Sequence, residues 1–233
     1  MKHTSAAAVF AALLTASSAL AQGFDGASIL LENNDSVDRD YSVASVEGRL
    51  SYGLGGGFGV QVDAYAMTYD DGDSGHGLAL HGYYAVNSDL TVGVFAGRDD
   101  WEWLRSGARF FGLEALYETD AWSLEAYVGR YSVANNPDET YFGVLTSYEM
   151  TDSLEVLAST EAWNYARFGG GTWGHYTIGA RYSLNNGAFF EGRVGQLRDG
   201  NYTRNLVSLT LGFDLGGGAV FTRRDYMAIT DGW

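Results

Sequence analysis

The chain has 233 residues, no cysteine and a formal net charge of −15. That size suits one domain. The absence of cysteine removes disulfides, thiol chemistry and Cys/His zinc clusters, and so large an acidic excess argues against nucleic acid as a partner. Aromatic residues make up 15% of the chain beside 32 glycines and a single proline, which does not suit a disordered segment.

Taken in chain order, Lys2 and His3 precede an apolar stretch, Ala6–Leu14, and then Ala19-Leu20-Ala21. This is the pattern of a secretory signal with a small-x-small cleavage site, so residues 1–21 are expected to leave and Gln22 to begin the mature chain. The stretch is too short for a spanning helix, which needs about 20 apolar residues. Lys2 leaves with the signal, so every basic residue after it is an arginine.

The next segments alternate. In Phe58–Ala66 one face holds Phe58, Val60, Val62, Ala64 and Ala66, and the other holds Gly59, Gln61, Asp63 and Tyr65. Leu90–Ala96, Trp122–Val128, Leu154–Ala162 and Val207–Leu215 behave likewise. A period of two is the signature of half-buried strands, and helical spacing fits none of these segments. Short turns at Gly56, Ser88, Asp120, Asp152, Asn186 and Gly217 recur at intervals of roughly 32 residues, one per hairpin. Longer polar loops alternate with them, roughly at 33–40, 70–75, 99–105, 134–139, 167–174 and 198–203. Aromatic residues flank the short turns: Tyr52, Phe58, Tyr84, Tyr117, Trp122, Tyr148, Tyr182 and Phe213. Even hairpins, two-faced strands and aromatic brackets together predict an all-β transmembrane antiparallel up-and-down barrel of about twelve strands.

Two strand registers give that count. One runs from Tyr41 to Met227 and the other from Ala27 to Leu215. The segment Phe221-Thr222-Arg223-Arg224-Asp225-Tyr226 has consecutive charges, so a strand there would turn a charge to lipid. Such a placement costs about 2–4 kcal/mol near the midplane. The second register is therefore expected, with the barrel over 22–215 and residues 216–233 forming a periplasmic tail. An ordinary terminal extension is the expectation for that tail; plugging the lumen, or meeting a periplasmic partner through its arginines, is the alternative.

With these features the chain resembles a Gram-negative outer-membrane β-barrel of the small porin type. The resemblance covers residues 25–215 and includes the alternating Val207, Leu209, Leu211 and Phe213, which is similar to the last-strand assembly signal of such proteins. It implies outer-membrane localisation, contact with membrane lipid and lipopolysaccharide, and passage of small solutes without a cofactor.

By parity the lumen carries Glu47, Asp63, Glu114, Glu125, Glu155, Glu161 and Glu191, with Arg49, Arg181 and Arg193 as counter-charges. Such a lining favours cations or neutral solutes over anions. The competing reading pairs these charges across strands inside a filled, non-conducting barrel, a structural anchor or adhesin-like surface protein. The histidines His76, His81 and His175 accompany no Gly-x-Ser-x-Gly elbow, so no enzyme is expected. Asp70, Asp71 and Asp73 form a weak Ca²⁺ candidate, though the spacing is not that of an EF-hand and a solvated loop tip is the simpler reading. With Asp35, Asp38, Asp40, Asp99 and Asp100 they are expected to form an acidic outer rim. Trp101, Trp103, Trp163, Tyr165 and Trp173 are expected to form the loop-side aromatic girdle.

Overall fold

The computed structural model describes residues 23–38, 41–102, 107–133, 138–165, 171–199 and 202–221. The segment read as a signal lies outside the described residues. Twelve strands follow one another: β1 (Phe24–Ser36), β2 (Tyr41–Gly55), β3 (Phe58–Tyr69), β4 (Ser74–Ala85), β5 (Leu90–Trp101), β6 (Ala108–Glu118), β7 (Trp122–Val133), β8 (Glu139–Thr151), β9 (Leu154–Tyr165), β10 (Gly171–Ser183), β11 (Ala188–Asp199) and β12 (Tyr202–Leu215). Each pairs antiparallel with its sequence neighbours, and β1 pairs with β12, so the sheet is a closed barrel. Of the two registers, the sheet follows the one that begins near Ala27 and ends at Leu215. Its seam sets Ala27 opposite Leu215, Ile29 opposite Phe213 and Leu31 opposite Leu211.

The connections within β2–β3, β4–β5, β6–β7, β8–β9 and β10–β11 are the short turns, all at one end. Local chemistry closes them. Asn87 Oδ1 accepts the amides of Asp89 and Leu90 at 2.8 and 2.9 Å, and Thr151 Oγ1 accepts those of Ser153 and Leu154. These are Asx and ST turns, which bond the backbone locally in place of a ladder.

The outward face is apolar over most of the barrel height. Leu31, Leu78, Leu80, Val94, Phe111, Leu113, Phe142, Ile178, Val194 and Leu209 are each half exposed or more. A continuous band of this kind far exceeds the patches found on water-soluble monomers and marks a hydrocarbon-facing wall. At the short-turn end, Phe58, Tyr84, Tyr117, Trp122, Tyr148, Tyr182 and Phe213 all point outward and are exposed, while Tyr52 is half-buried. Phe58 meets Tyr84, and Trp122 meets Tyr148, with ring centroids 4.7 Å apart in both pairs. These contacts join the two strands of neighbouring hairpins.

The loop-side girdle is a different matter. Trp101, Trp163 and Trp173 are buried, and they point into the barrel rather than out of it. The reason is parity: β5 runs on to Trp101, which places that residue on the same face as Phe95 and Asp99. Trp103 lies outside the described residues, as does the side chain of Tyr165.

The lipid-facing reading of the band predicts that Leu113→Arg destabilises the barrel by about 2–4 kcal/mol. Reversible denaturant unfolding in lipid vesicles measures it, and a change within error of zero would mean that Leu113 does not face hydrocarbon.

Candidate functional site: the barrel interior

Inward positions divide into three levels. Nearest the short turns, β1, β2 and β3 present Ser28, Ser51 and Gln61, which are all buried. Here the chain after β12 turns inward, and Phe221 is only 2% exposed. Residues 219–221 therefore lie inside the wall, the alternative that the sequence reading ranked second; residues 222–233 lie outside the described residues.

The middle level is charged, and its groups are held by one another. Arg49 donates to both carboxylate oxygens of Glu47 from Nε and Nη2, at 2.7 and 2.9 Å. On the opposite wall, Arg181 lies between Glu191 at 2.9 Å and Glu155 at 3.6 Å, and Arg193 reaches Glu191 at 2.5 Å. Tyr127 donates to Glu161 at 2.6 Å, and Thr210 donates to Glu32 at 3.1 Å. His81 spans two carboxylates, with Nδ1 2.8 Å from Glu114 and Nε2 3.1 Å from Asp63. The ring thus ties β4 to β6 through Glu114 and to β3 through Asp63.

Every lumen residue expected from sequence thus faces inward: Glu47, Asp63, Glu114, Glu125, Glu155, Glu161, Glu191, Arg49, Arg181 and Arg193. They are not equally wet. The side chains of Glu47, Glu155 and Arg181 are 20–22% exposed, whereas those of His81 and Glu114 are at 1% and 0%. The His81 bridge was missed because Asp63, His81 and Glu114 sit on three strands and share no local motif.

The third level, toward the long loops, is aromatic. Tyr141 stacks on Trp163 with centroids 5.0 Å apart, Tyr131 meets Trp163 edge-on at 5.2 Å, and Trp101 and Trp173 extend the cluster. Phe95, Phe110, Tyr127, Leu197 and Leu206 complete it. Asp99, expected on the outer rim, is instead buried and accepts from Tyr65 Oη at 2.6 Å. Several of the other rim aspartates have partners. Asp71 Oδ1 takes the Asp73 amide at 3.0 Å, Asp38 takes the Asn205 amide and side chain, and Asp100 pairs with Arg98 at 2.7 Å. Among the described residues no three His, Asp or Glu side chains converge as a metal site, at Asp70, Asp71 and Asp73 or elsewhere. Asp40 lies outside the described residues.

Inward glycines make room for the rings. A Cβ at Gly143 would strike Tyr127, one at Gly129 would strike Tyr141, and one at Gly112 would strike Phe95. Each ring therefore lies across the neighbouring strand's backbone and lines the wall.

No family model matches the chain, and no curated protein does. Solved structures do match. A KdgM porin superposes with a TM-score of 0.63 at 12% identity, covering 80% of this chain and 98% of the porin. A KdgM porin has also been solved in complex with disordered oligogalacturonate, and it aligns with a TM-score of 0.60. A NanC porin gives 0.61 at 10% identity over 80% of this chain and all of its own, 100%. The COG4313 outer membrane channel from Pseudomonas putida F1 gives 0.59 at 11% identity over 84% and 97%. The chain has the fold of the small outer-membrane porins.

The buried contact of His81 Nδ1 with Glu114 predicts that a double-mutant cycle of His81→Gln and Glu114→Gln returns a coupling energy of about 1–3 kcal/mol. Coupling within error of zero would show that the two groups do not interact.

Proposed function

We propose that this protein is an outer-membrane channel for passive diffusion of small hydrophilic solutes, with a preference for cations or neutral molecules. The observation that carries the reading is the charge of the inner wall. Acidic side chains outnumber arginines there, and of the half-buried inward charges Glu47, Glu155 and Asp214 are carboxylates beside Arg181 and Arg204. In a low-dielectric wall such groups set a field that draws cations and repels anions. The same charge speaks against a polyanionic cargo such as the oligogalacturonate found with the KdgM porin. The signal at 1–21, the apolar outer band and the aromatic ring at the short turns support insertion in the outer membrane of a Gram-negative cell. Lipid and lipopolysaccharide would surround that band. Passive diffusion needs no cofactor and no catalytic group.

A second reading, a filled barrel without conductance, has its own support in the aromatic level. Trp101, Tyr131, Tyr141 and Trp163 are almost wholly excluded from water. On the channel reading, that cluster and the inward tail make the described conformation a closed one.

Planar-bilayer recording separates the two. The channel reading expects discrete conductance steps and a cation-selective reversal potential under a salt gradient. Glu47→Gln with Glu155→Gln should move that potential toward the nonselective value, while unit conductance changes less. An absence of steps, in this protein and in a Phe221→Ala variant that removes the buried tail ring, would establish the filled barrel, and an anion-selective potential would overturn the role given to the carboxylates.

A further inference from the structure

The segment after β12 does not leave the barrel. Gly216, Gly217 and Gly218 all have left-handed φ, at 65°, 94° and 90°, and they reverse the chain over the end of β1. At the crossing stands Gly26, where a Cβ would overlap the Gly218 carbonyl. The backbone of the next three residues is then held by one side chain from each of three successive strands. Ser28 Oγ accepts the Ala219 amide at 3.1 Å, and Ser51 Oγ accepts that of Val220 at 3.1 Å. Gln61 brackets Phe221, accepting its amide at 3.0 Å and donating to its carbonyl at 2.9 Å.

These three side chains form a prepared set. Ser51 donates to Gln61 Oε1 at 2.8 Å, Gln61 Nε2 also donates to Asp63 at 2.9 Å, and Ser28 donates to Asp214 at 2.6 Å. Ser51 and Gln61 are fully buried, and the tail amides and carbonyl supply their remaining partners. A buried polar group without a partner is costly, so a ladder of this kind is matched to an extended backbone lying on it. The Phe221 ring ends the run. It stacks on His81 with centroids 5.9 Å apart, meets Tyr83 edge-on at 6.2 Å and packs on Leu116.

We propose that Ser28, Ser51 and Gln61 are a docking site for the chain's own segment 216–221, and that this segment is a stopper closing the short-turn mouth of the channel. The ladder reads backbone, while Val220 packs half-buried against the cluster that holds Phe221. Specificity rests on the ring at 221. The closing role rests on the channel reading; the docking site does not.

The chain has no native cysteine, so introduced thiols report cleanly. In full-length protein in lipid vesicles, Ser51→Cys with Val220→Cys should oxidise to an intramolecular disulfide. Val220→Cys with Ser147→Cys, which places the second thiol on β8, should not. In a Leu116→Cys background, a water-soluble thiol reagent should react at least about tenfold faster once Phe221→Ala removes the buried ring. In planar bilayers, Phe221→Ala should raise the open fraction at least about tenfold. Equal cross-linking to both partners, or equal labelling rates with and without Phe221, would overturn the docking site. Equal open fractions in two conducting proteins would overturn the stopper. Selective cross-linking and protection, with no conductance from either protein, would confirm the docking site and overturn the channel reading with its gate.

Discussion

A sheet in hydrocarbon has no water to satisfy its edges, so its first and last strands must find each other. In this barrel the whole architecture follows from the β1–β12 seam. Closing it with Ala27 opposite Leu215 sets the register of both terminal strands and brings their ends level at the short-turn side. Closure also divides every strand into an outer and an inner row with a period of two. The outer row becomes the Leu, Val, Ile and Phe band, and the inner row holds nearly all of the described buried charge. The carboxylates and arginines of that row could not be tolerated singly in a dry interior. They occur as pairs and bridges: Arg49 with Glu47, Arg181 and Arg193 with Glu191, and His81 between Asp63 and Glu114.

The inner row is also where much of the aromatic and glycine content is spent. Two large residues facing each other across neighbouring strands would crowd the lumen, and two small ones would leave a void. Instead a ring on one strand lies over a glycine on the next: Tyr127 over Gly143, Tyr141 over Gly129, Phe189 over Gly212. The phenols then reach charges that a shorter side chain would leave without a donor, as Tyr127 does for Glu161 and Tyr65 for Asp99. Aromatic richness in such a chain thus serves two ends, an outer ring at the short turns and an inner packing near the loops.

That double use explains what was legible in the sequence and what was not. Alternation is local, so the strands, the short turns, the outward apolar row and the inward carboxylates could all be read from parity. Parity holds only as far as a strand is known to continue. Ending the β5 alternation at Ala96 detaches Trp101 and Asp99 from their row, which puts the first in the outer girdle and the second on the rim instead of in the interior. Contacts across several strands have no period at all. Nothing local relates Asp63 to His81 and Glu114, or Gln61 to Phe221, which stands 160 residues away. The consecutive charges at 223–225 argue for the register that ends at Leu215, which is the one the sheet follows, but they do not say where the chain goes next. The inward course was written in the small residues Gly26 and Gly216–Gly218, whose purpose shows only when the two backbones cross.

The same distinction between wet and dry positions decides which charges can select a solute. A carboxylate in the dry middle level is held by a partner at hydrogen-bond range and meets no water, so a solute cannot reach its oxygens. Glu114 has His81 at 2.8 Å and no measurable exposure, so it acts on the fold, and changing it alters stability before selectivity. Glu47 and Glu155 also have arginine partners, but each remains about one-fifth open to water, where a passing ion can exchange a hydration contact for a carboxylate oxygen. Counting acidic residues along the inner row therefore overstates the field that a solute would meet. The relevant field belongs to the few wetted groups on β2, β9, β10 and β12. The tail lies along β1–β3, so the strand that carries Glu47 also carries Ser51, one rung of the ladder that holds the tail. Selectivity and closure would then share β2, with the Glu47 carboxylate two pleat repeats from the Ser51 latch.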